Sequence, residues 1–344
     1  MSGENTPIVS AIVLNWNGEG VVEAAVASLL AQTLAQMEVI VVDNASTDGS
    51  DSAVERAFTG RVSLIRNPRN LGFGAGNNAG IRSARGRFVL LLNNDAEASP
   101  TLAEEMVRAA DEDDRIGMVA AKVLLHGEDG LIDTTGHLLY PDGLNRGRGR
   151  LERDRGQYDA CRTALFPSGA AGLYRRLMLD EIGLFDESFF LYGDDAELGL
   201  RGRHAGWECA FAPRAVAHHR YSRSAGRYSA LKAFHVERNR VWVLLKLFPW
   251  PAIVASPLYT AARLAWQAYG VATGRGAAAR LAADSSFPAL VWITLRAWWA
   301  ACAGVPRILS QRREVWKASR LSSAGFRRLL AEFRLGVREV ALKD

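Results

Sequence analysis

Apolar runs and helical-period segments alternate through the first 122 residues of this 344-residue chain, and that alternation restricts its fold more than any other feature. Residues 10–16 (SAIVLNW) and 38–42 (EVIVV) are short β-branched runs, and between them residues 20–34 repeat apolar side chains at helical spacing. Residues 62–65, 87–92 and 116–122 continue the strands, while 51–58, 74–83 and 101–110 read as the intervening helices. Strands alternating with helices predict an α/β domain built on a mostly parallel sheet with flanking helices. From about 124 to 162, Gly, Arg and Asp accumulate without clear periodicity, which predicts loops and edge strands.

Ligands of such sheets bind beyond the carboxyl ends of the strands. NWNG at 15–18, DNASTD at 43–48 and NND at 93–95 occupy such ends. Asp95 follows the buried run FVLLL, where one carboxylate together with phosphate oxygens suits Mg2+ or Mn2+. Asn and Asp there also serve simply to close a strand with a turn. The segment FDESFFLYGDDAEL at 185–198 sets aromatic residues before the adjacent carboxylates Asp194 and Asp195, at the expected start of a helix. A carboxylate in a partly apolar cleft can act as a general base. Alternatively the acids complement the helix dipole while Glu197 pairs with Arg201.

His218 and His219 follow a short apolar strand, and a neutral imidazole there offers a further metal contact. His126, His137, His204 and His235 show no ligand spacing and read as surface or core histidines. GFGAG at 72–76 has the wrong spacing for a dinucleotide fingerprint and follows NPRN rather than a strand. A glycine turn at Gly74 either lets backbone amides approach a phosphate or permits tight packing. Neither a G-x-x-x-x-G-K-[ST] loop nor a G-x-S-x-G elbow is present, which removes two common enzyme classes.

In this order, NWNG (15–18), VDNASTDGS (42–50), NLGFGAGNNAG (70–80), LLNND (91–95), GLFDESFFLYGDDAEL (183–198) and HRYSRSAG (219–226) resemble the family 2 glycosyltransferases. The resemblance spans residues 8–240 and is strongest to rhamnosyltransferase-like members of bacterial polysaccharide synthesis. It implies a GT-A fold with a Rossmann-like sheet, a nucleotide-sugar donor, a divalent metal and inversion at the anomeric carbon. Asn15, Asn17 and Asp43 match the nucleotide-contacting positions, with Asp43 near the base; Asn44, Gly74, Asn77, Asn93 and Asn94 complete the expected donor side. Asn93 and Asn94 depart from the family's Asp-x-Asp pattern, so a ribose contact there must run through an amide. Asp95 matches the metal-holding acid, and His219, or the adjacent His218, the histidine ligand. Asp195 matches the base, beside Asp194 where Glu is usual. The implied reaction is an in-line displacement without a covalent sugar-enzyme intermediate. dTDP-rhamnose is the first expectation for the donor, ahead of UDP-sugars, and a glycan or polyprenol-linked hydroxyl for the acceptor.

Residues 1–231 carry 24 basic and 31 acidic side chains, whereas residues 232–344 carry 18 and 6, a net +12. In that basic half Trp242, Trp250, Trp266, Trp292, Trp298, Trp299 and Trp316 are interleaved with the charges. Its apolar stretches, 241–272 and 287–305, fall short of the ~20 uninterrupted residues a span requires. Lys246, three prolines and Arg263 interrupt the first, and Arg296 the second. Basic, Trp-rich amphipathic helices predict an anionic membrane surface as partner rather than nucleic acid, with packing on the enzyme or a homodimer as the alternative. Three scattered cysteines and no recognisable signal sequence predict the cytoplasmic face of the inner membrane. The expected division is a catalytic domain over 1–240 and a helical region over 241–344. Two rivals remain. A nucleotidyltransferase would need a basic Gly-rich first loop, which NWNGEG lacks, and a non-catalytic carbohydrate-binding scaffold would have no use for Asp95, Asp195 and His219 together.

Overall fold

The computed structural model describes residues 6–128, 130–220, 229–283 and 287–343. Their contacts divide the chain into two units, one of residues 1–136, 147–190 and 207–224, the other of 137–146, 191–206 and 225–344.

In the first unit, strand β1 (Val9–Asn15) leads through α1 (Val22–Leu30) to β2 (Met37–Asp43), then through α2 (Ser50–Ala57) to β3 (Ser63–Arg66). Helix α3 (Phe73–Ser83) returns the chain to β4 (Phe88–Asn93), followed by β5 (Ala96–Ala98), α4 (Leu102–Ala110), β6 (Ile116–Leu125) and β7 (Ile132–Thr134). After β8 (His137–Leu139) and β9 (Asn145–Gly147) come β10 (Ala171–Arg175), α5 (Arg176–Ile182), α6 (Asp194–His204) and β11 (Glu208–His219). Among the described residues this unit holds a nine-stranded sheet of order β3-β2-β1-β4-β10-β6-β11-β5, with β7 on β6. The first four strands run parallel. β10 is antiparallel to both of its neighbours, which makes the sheet mixed.

β1 and β4 read as continuous apolar runs because helices cover both faces. On one face Val22, Val26 and Leu29 of α1 and Leu102 and Met106 of α4 join Val13, Val41, Leu90 and Leu92 in a single core. On the other face α3 lies so close that a Cβ at Gly80 would sit 2.8 Å from Ile12, and one at Gly76 2.5 Å from Leu14. The glycine-rich run is thus a helix face flattened for the sheet. Register brings the polar ends level, with Asn15 opposite Asp43 and Leu14 opposite Asn93.

The second unit contains α6, the β8–β9 hairpin and seven further helices among the described residues: α7 (Ala230–Leu247), α8 (Trp250–Thr273), α9 (Gly276–Ala283), α10 (Phe287–Ala303), α11 (Val305–Ala318), α12 (Ser323–Glu332) and α13 (Val337–Leu342). A single boundary after residue 240 does not describe these contacts. α7 runs straight through that position, capped at its start by the Ser229 hydroxyl, which accepts from Lys232 N at 3.1 Å. Inside the unit Glu237, Arg240, Arg263 and Asp142 form a buried ionic cluster: Arg263 Nε donates to Asp142 Oδ2 at 2.7 Å and its Nη2 to Glu237 Oε2 at 3.0 Å. Arg240 joins both acids, and the Trp298 indole donates to Glu237 at 2.8 Å.

Candidate functional site

Asn15 lies fully buried at the carboxyl end of β1, and its amide is spent within the fold. It donates to Asp43 Oδ1 at 3.0 Å and to Ser50 Oγ at 2.9 Å, while its Oδ1 accepts from Asn94 at 3.1 Å. Asn15 and Asn94 therefore lock three strand ends together and have little left for a ligand. Asp43 keeps its carboxylate at the end of β2, with Oδ2 accepting from Ser46 N at 3.0 Å. Asn17 sits exposed with φ +50° and accepts from Thr47 N at 2.8 Å, which shapes the loop beside Asp43.

Three expected donor-side residues make their observed contacts within the fold. The Asn44 side chain is buried and bonds Asn70 at 2.9 Å, the Gly72 carbonyl at 3.2 Å and Leu71 N at 3.1 Å, fixing the 67–72 loop. Asn77 donates to the carbonyl of Phe73 one turn back, at 3.0 Å. Gly74 has its missing Cβ 3.1 Å from that of Phe185, so it serves packing, the second of the two roles open to it.

The chemically distinctive cluster gathers around His219, at the end of β11. Strand alternation sends His219 inward and His218 to the opposite face, beside Leu124 and Glu128. His219 Nε2 lies 3.2 Å from Asp95 Oδ1 and 3.4 Å from the Asn93 amide. Its Nδ1 donates to Asp133 Oδ2 at 2.7 Å, and Arg150 holds the other oxygen of Asp133. Burial disfavours a charged ring, but hydrogen bonds to Asp133 and Asp95 outweigh it and push the His219 pKa up to about 10. Asp133 and Arg150 were not foreseen. Their one signal was a carboxylate inside the apolar run LID, in a stretch read as loops.

The donor set suits the implied cation once His219 gives up the proton it shares with Asp95, which a cation at Nε2 would displace. Among the described residues no group of three or more His, Cys, Asp or Glu is placed to hold a metal by itself. One imidazole and one carboxylate would leave the remaining positions to diphosphate oxygens and water, and the nitrogen donor suits Mn2+ better than Mg2+. A carboxylate on the far nitrogen of a metal-binding histidine fixes its tautomer and direction. Asp133→Asn is accordingly expected to weaken Mn2+ binding by about 10–100-fold with the fold retained, read by titration calorimetry in the absence of any sugar donor. Unchanged affinity would remove Asp133 from this role.

In the second unit, Gly193 in the left-handed region starts α6, with Asp194 and Asp195 in its first turn. Asp194 is enclosed, and burial together with the neighbouring Asp195 charge pushes its pKa up to about 8. Asp195 keeps 18% of its side chain exposed, and its Oδ2 lies 3.6 Å from His137 Nε2. His137 is itself set by Asn145, 2.8 Å from its Nδ1, so it belongs to the surroundings of Asp195 and is no bystander. Before α6, Tyr192 takes φ +64°, uncommon for an aromatic residue. Asn239 of α7 restrains it, donating to the carbonyls of Leu191 at 2.9 Å and Tyr192 at 2.6 Å. Nothing in the sequence marked Asn239. The segment 221–228, which closes the last motif, lies outside the described residues.

Several known proteins are similar to this chain in sequence or in fold. Uncharacterized protein y4gI of Sinorhizobium fredii is 32% identical over 241 residues, 65% of this chain but 25% of its own length, so the chain spans a quarter of that relative. The N-acetylglucosaminyl-diphospho-decaprenol L-rhamnosyltransferase of Mycobacterium tuberculosis is 26% identical over 255 residues, 67% of this chain and 82% of the relative. A crystal structure of GalNAc-T7 with UDP, GalNAc and Mn2+ superimposes with a TM-score of 0.56 at 18% identity, covering 71% of this chain and 48% of that one; the likeness shows the GT-A fold. Residues 10–183, just over half of the chain, match the family model for Glycosyl transferase family 2 and carry the strand-end residues Asn15, Asp43 and Asp95 described above. The chain belongs to glycosyl transferase family 2.

Proposed function

We propose that this protein is an inverting glycosyltransferase that moves rhamnose from dTDP-rhamnose to a hydroxyl of a polyprenol-linked glycan in cell-envelope polysaccharide synthesis. The observation that carries the reading is the Asp95–His219 pair, oriented by Asp133 at the carboxyl ends of a GT-A sheet. Asp95 and His219 would hold a divalent cation, which when bound offsets the charge gathering on the departing diphosphate. Asp43, whose carboxylate is oriented by Asn15 and Ser46, would contact the nucleoside. Asp195 accepts the proton of the acceptor hydroxyl as the new C–O bond forms and the bond to the diphosphate breaks. The sugar thereby inverts in a single displacement, without the carboxylate nucleophile of a retaining mechanism. The choice of rhamnose and of a polyprenol-linked acceptor draws on the named activity of the mycobacterial relative, and that of dTDP on the resemblance to rhamnosyltransferase-like sequences.

The test offers the full-length protein dTDP-rhamnose, UDP-glucose, UDP-N-acetylglucosamine and GDP-mannose, with Mn2+ and a polyprenol-diphosphate-linked sugar. The expected result is acceptor-dependent release of dTDP and a product of inverted anomeric configuration by NMR. Release of UDP instead would replace the donor and keep the reaction, whereas neither binding nor turnover of any nucleotide sugar would return the chain to the scaffold reading.

A further inference from the structure

The helical unit turns outward two helix faces that a water-facing helix does not leave bare. Along α8, Trp250, Val254, Leu258, Ala261, Ala265 and Tyr269 recur every three or four residues, and all are exposed, Val254 and Leu258 to 77%. Trp292, Leu295 and Trp299 repeat the pattern on α10, Trp299 being 75% exposed. Neither helix contains an acidic residue. Their orientation is not free to relax, because the opposite faces are pinned: Arg263 of α8 and Trp298 of α10 both bond the Glu237 carboxylate, at 3.0 and 2.8 Å. α8 alone extends for ~36 Å at 1.5 Å per residue, an apolar strip far larger than scattered surface hydrophobics.

The charges around these faces say what covers them. Residues 250–313 carry seven basic side chains and one acidic, and Arg275, Arg280, Arg296, Arg307 and Arg313 are exposed. Pairing this face with the same face of a second copy would set arginines against arginines. A surface of anionic phospholipid offers the opposite charge together with an apolar layer for the tryptophans. No single described helix is long and apolar enough to cross a membrane, and α10 with α11 reaches that length only as a pair bent by 58°.

We propose that the outer faces of α8 and α10 are a docking surface for an anionic lipid bilayer, with Trp250, Trp292 and Trp299 seated among the headgroups and the flanking arginines on lipid phosphates. This extends beyond the transfer reaction and holds for any donor or acceptor.

Flotation of the full-length protein with phosphatidylcholine vesicles, with and without phosphatidylglycerol, tests it. Binding should require phosphatidylglycerol, weaken in high salt without vanishing, and be reversed by alkaline carbonate. Trp292→Ser combined with Trp299→Ser, both solvent-facing, should lower vesicle affinity at least about tenfold with an unchanged thermal melt. Arg280→Glu with Arg296→Glu should reduce binding while sparing the apolar face. Indifference of the wild-type protein to phosphatidylglycerol vesicles at low salt would overturn the proposal. So would resistance to carbonate, which would mean a crossing segment, or tryptophan variants that dissolve a dimer by sedimentation yet bind vesicles as before.

Discussion

Asp195→Asn is expected to lower turnover by roughly 10²–10⁴ while nucleotide-sugar affinity stays at the wild-type level. The amide keeps the volume and the place in the first turn of α6 but cannot accept a proton. Its neighbour should behave differently. Asp194 is enclosed and holds its proton up to a pKa of about 8, so near neutrality it is no acceptor for the hydroxyl proton. Asp195 reaches solvent and stands beside His137. Asp194→Asn should therefore retain most of the turnover and also separate the two acids by stability. With a folded pKa above the ordinary 3.8, Asp194 binds a proton in the native state that the unfolded chain releases, so its contribution to stability falls as pH rises from about 4 to about 8. The Asn variant lacks that loss, and its melting temperature should exceed wild type at pH 8 and match it at pH 4. If Asp194→Asn abolishes turnover and Asp195→Asn does not, the base is Asp194.

The parallel half of the sheet was legible in the sequence because β1, β2 and β4 are buried on both faces, and burial of that kind writes unbroken apolar runs. β10 escaped notice: AGLYR is five residues with no alternation, and its antiparallel place between β4 and β6 is a long-range choice that no local pattern encodes. At the site, the strand-end acids Asp43 and Asp95 were visible in the sequence because each follows an apolar run, although the same position also suits a turn. Asparagines did not separate so well. Asn15, Asn44 and Asn94 brace loops and strand ends and Asn77 bonds back within α3, and an amide so used looks in sequence like one that binds a ligand. The period of two along β11, with its register to β6, puts the two adjacent histidines on opposite faces, which no local pattern shows. Asp133 and His137 lay in the stretch of weakest periodicity, where only tertiary placement gives a polar residue its meaning.

The largest effect on stability is expected from Glu237→Gln. Glu237 is buried with Arg240 and Arg263, and takes a further hydrogen bond from Trp298. Burial alone would raise its pKa, but the two guanidiniums hold it down at about 2 against an ordinary 4.5. The amide preserves shape and leaves Asp142 facing both arginines alone, and breaking a buried ion cluster in this way costs about 3–5 kcal/mol. Because the folded pKa is depressed, the stabilisation is complete above about 4.5 and is lost as pH falls towards 2. Urea titrations followed by tryptophan fluorescence should thus show a wide gap between variant and wild type at pH 7 that closes towards pH 2; a gap independent of pH would mean that lost packing, not lost charge, is responsible. α7 also carries Asn239, which holds the backbone just ahead of Asp194 and Asp195. As the cluster loosens, the turn presenting Asp195 should loosen with it, so Glu237→Gln is expected to lose transferase activity at a temperature below its own melt, whereas wild type loses both together.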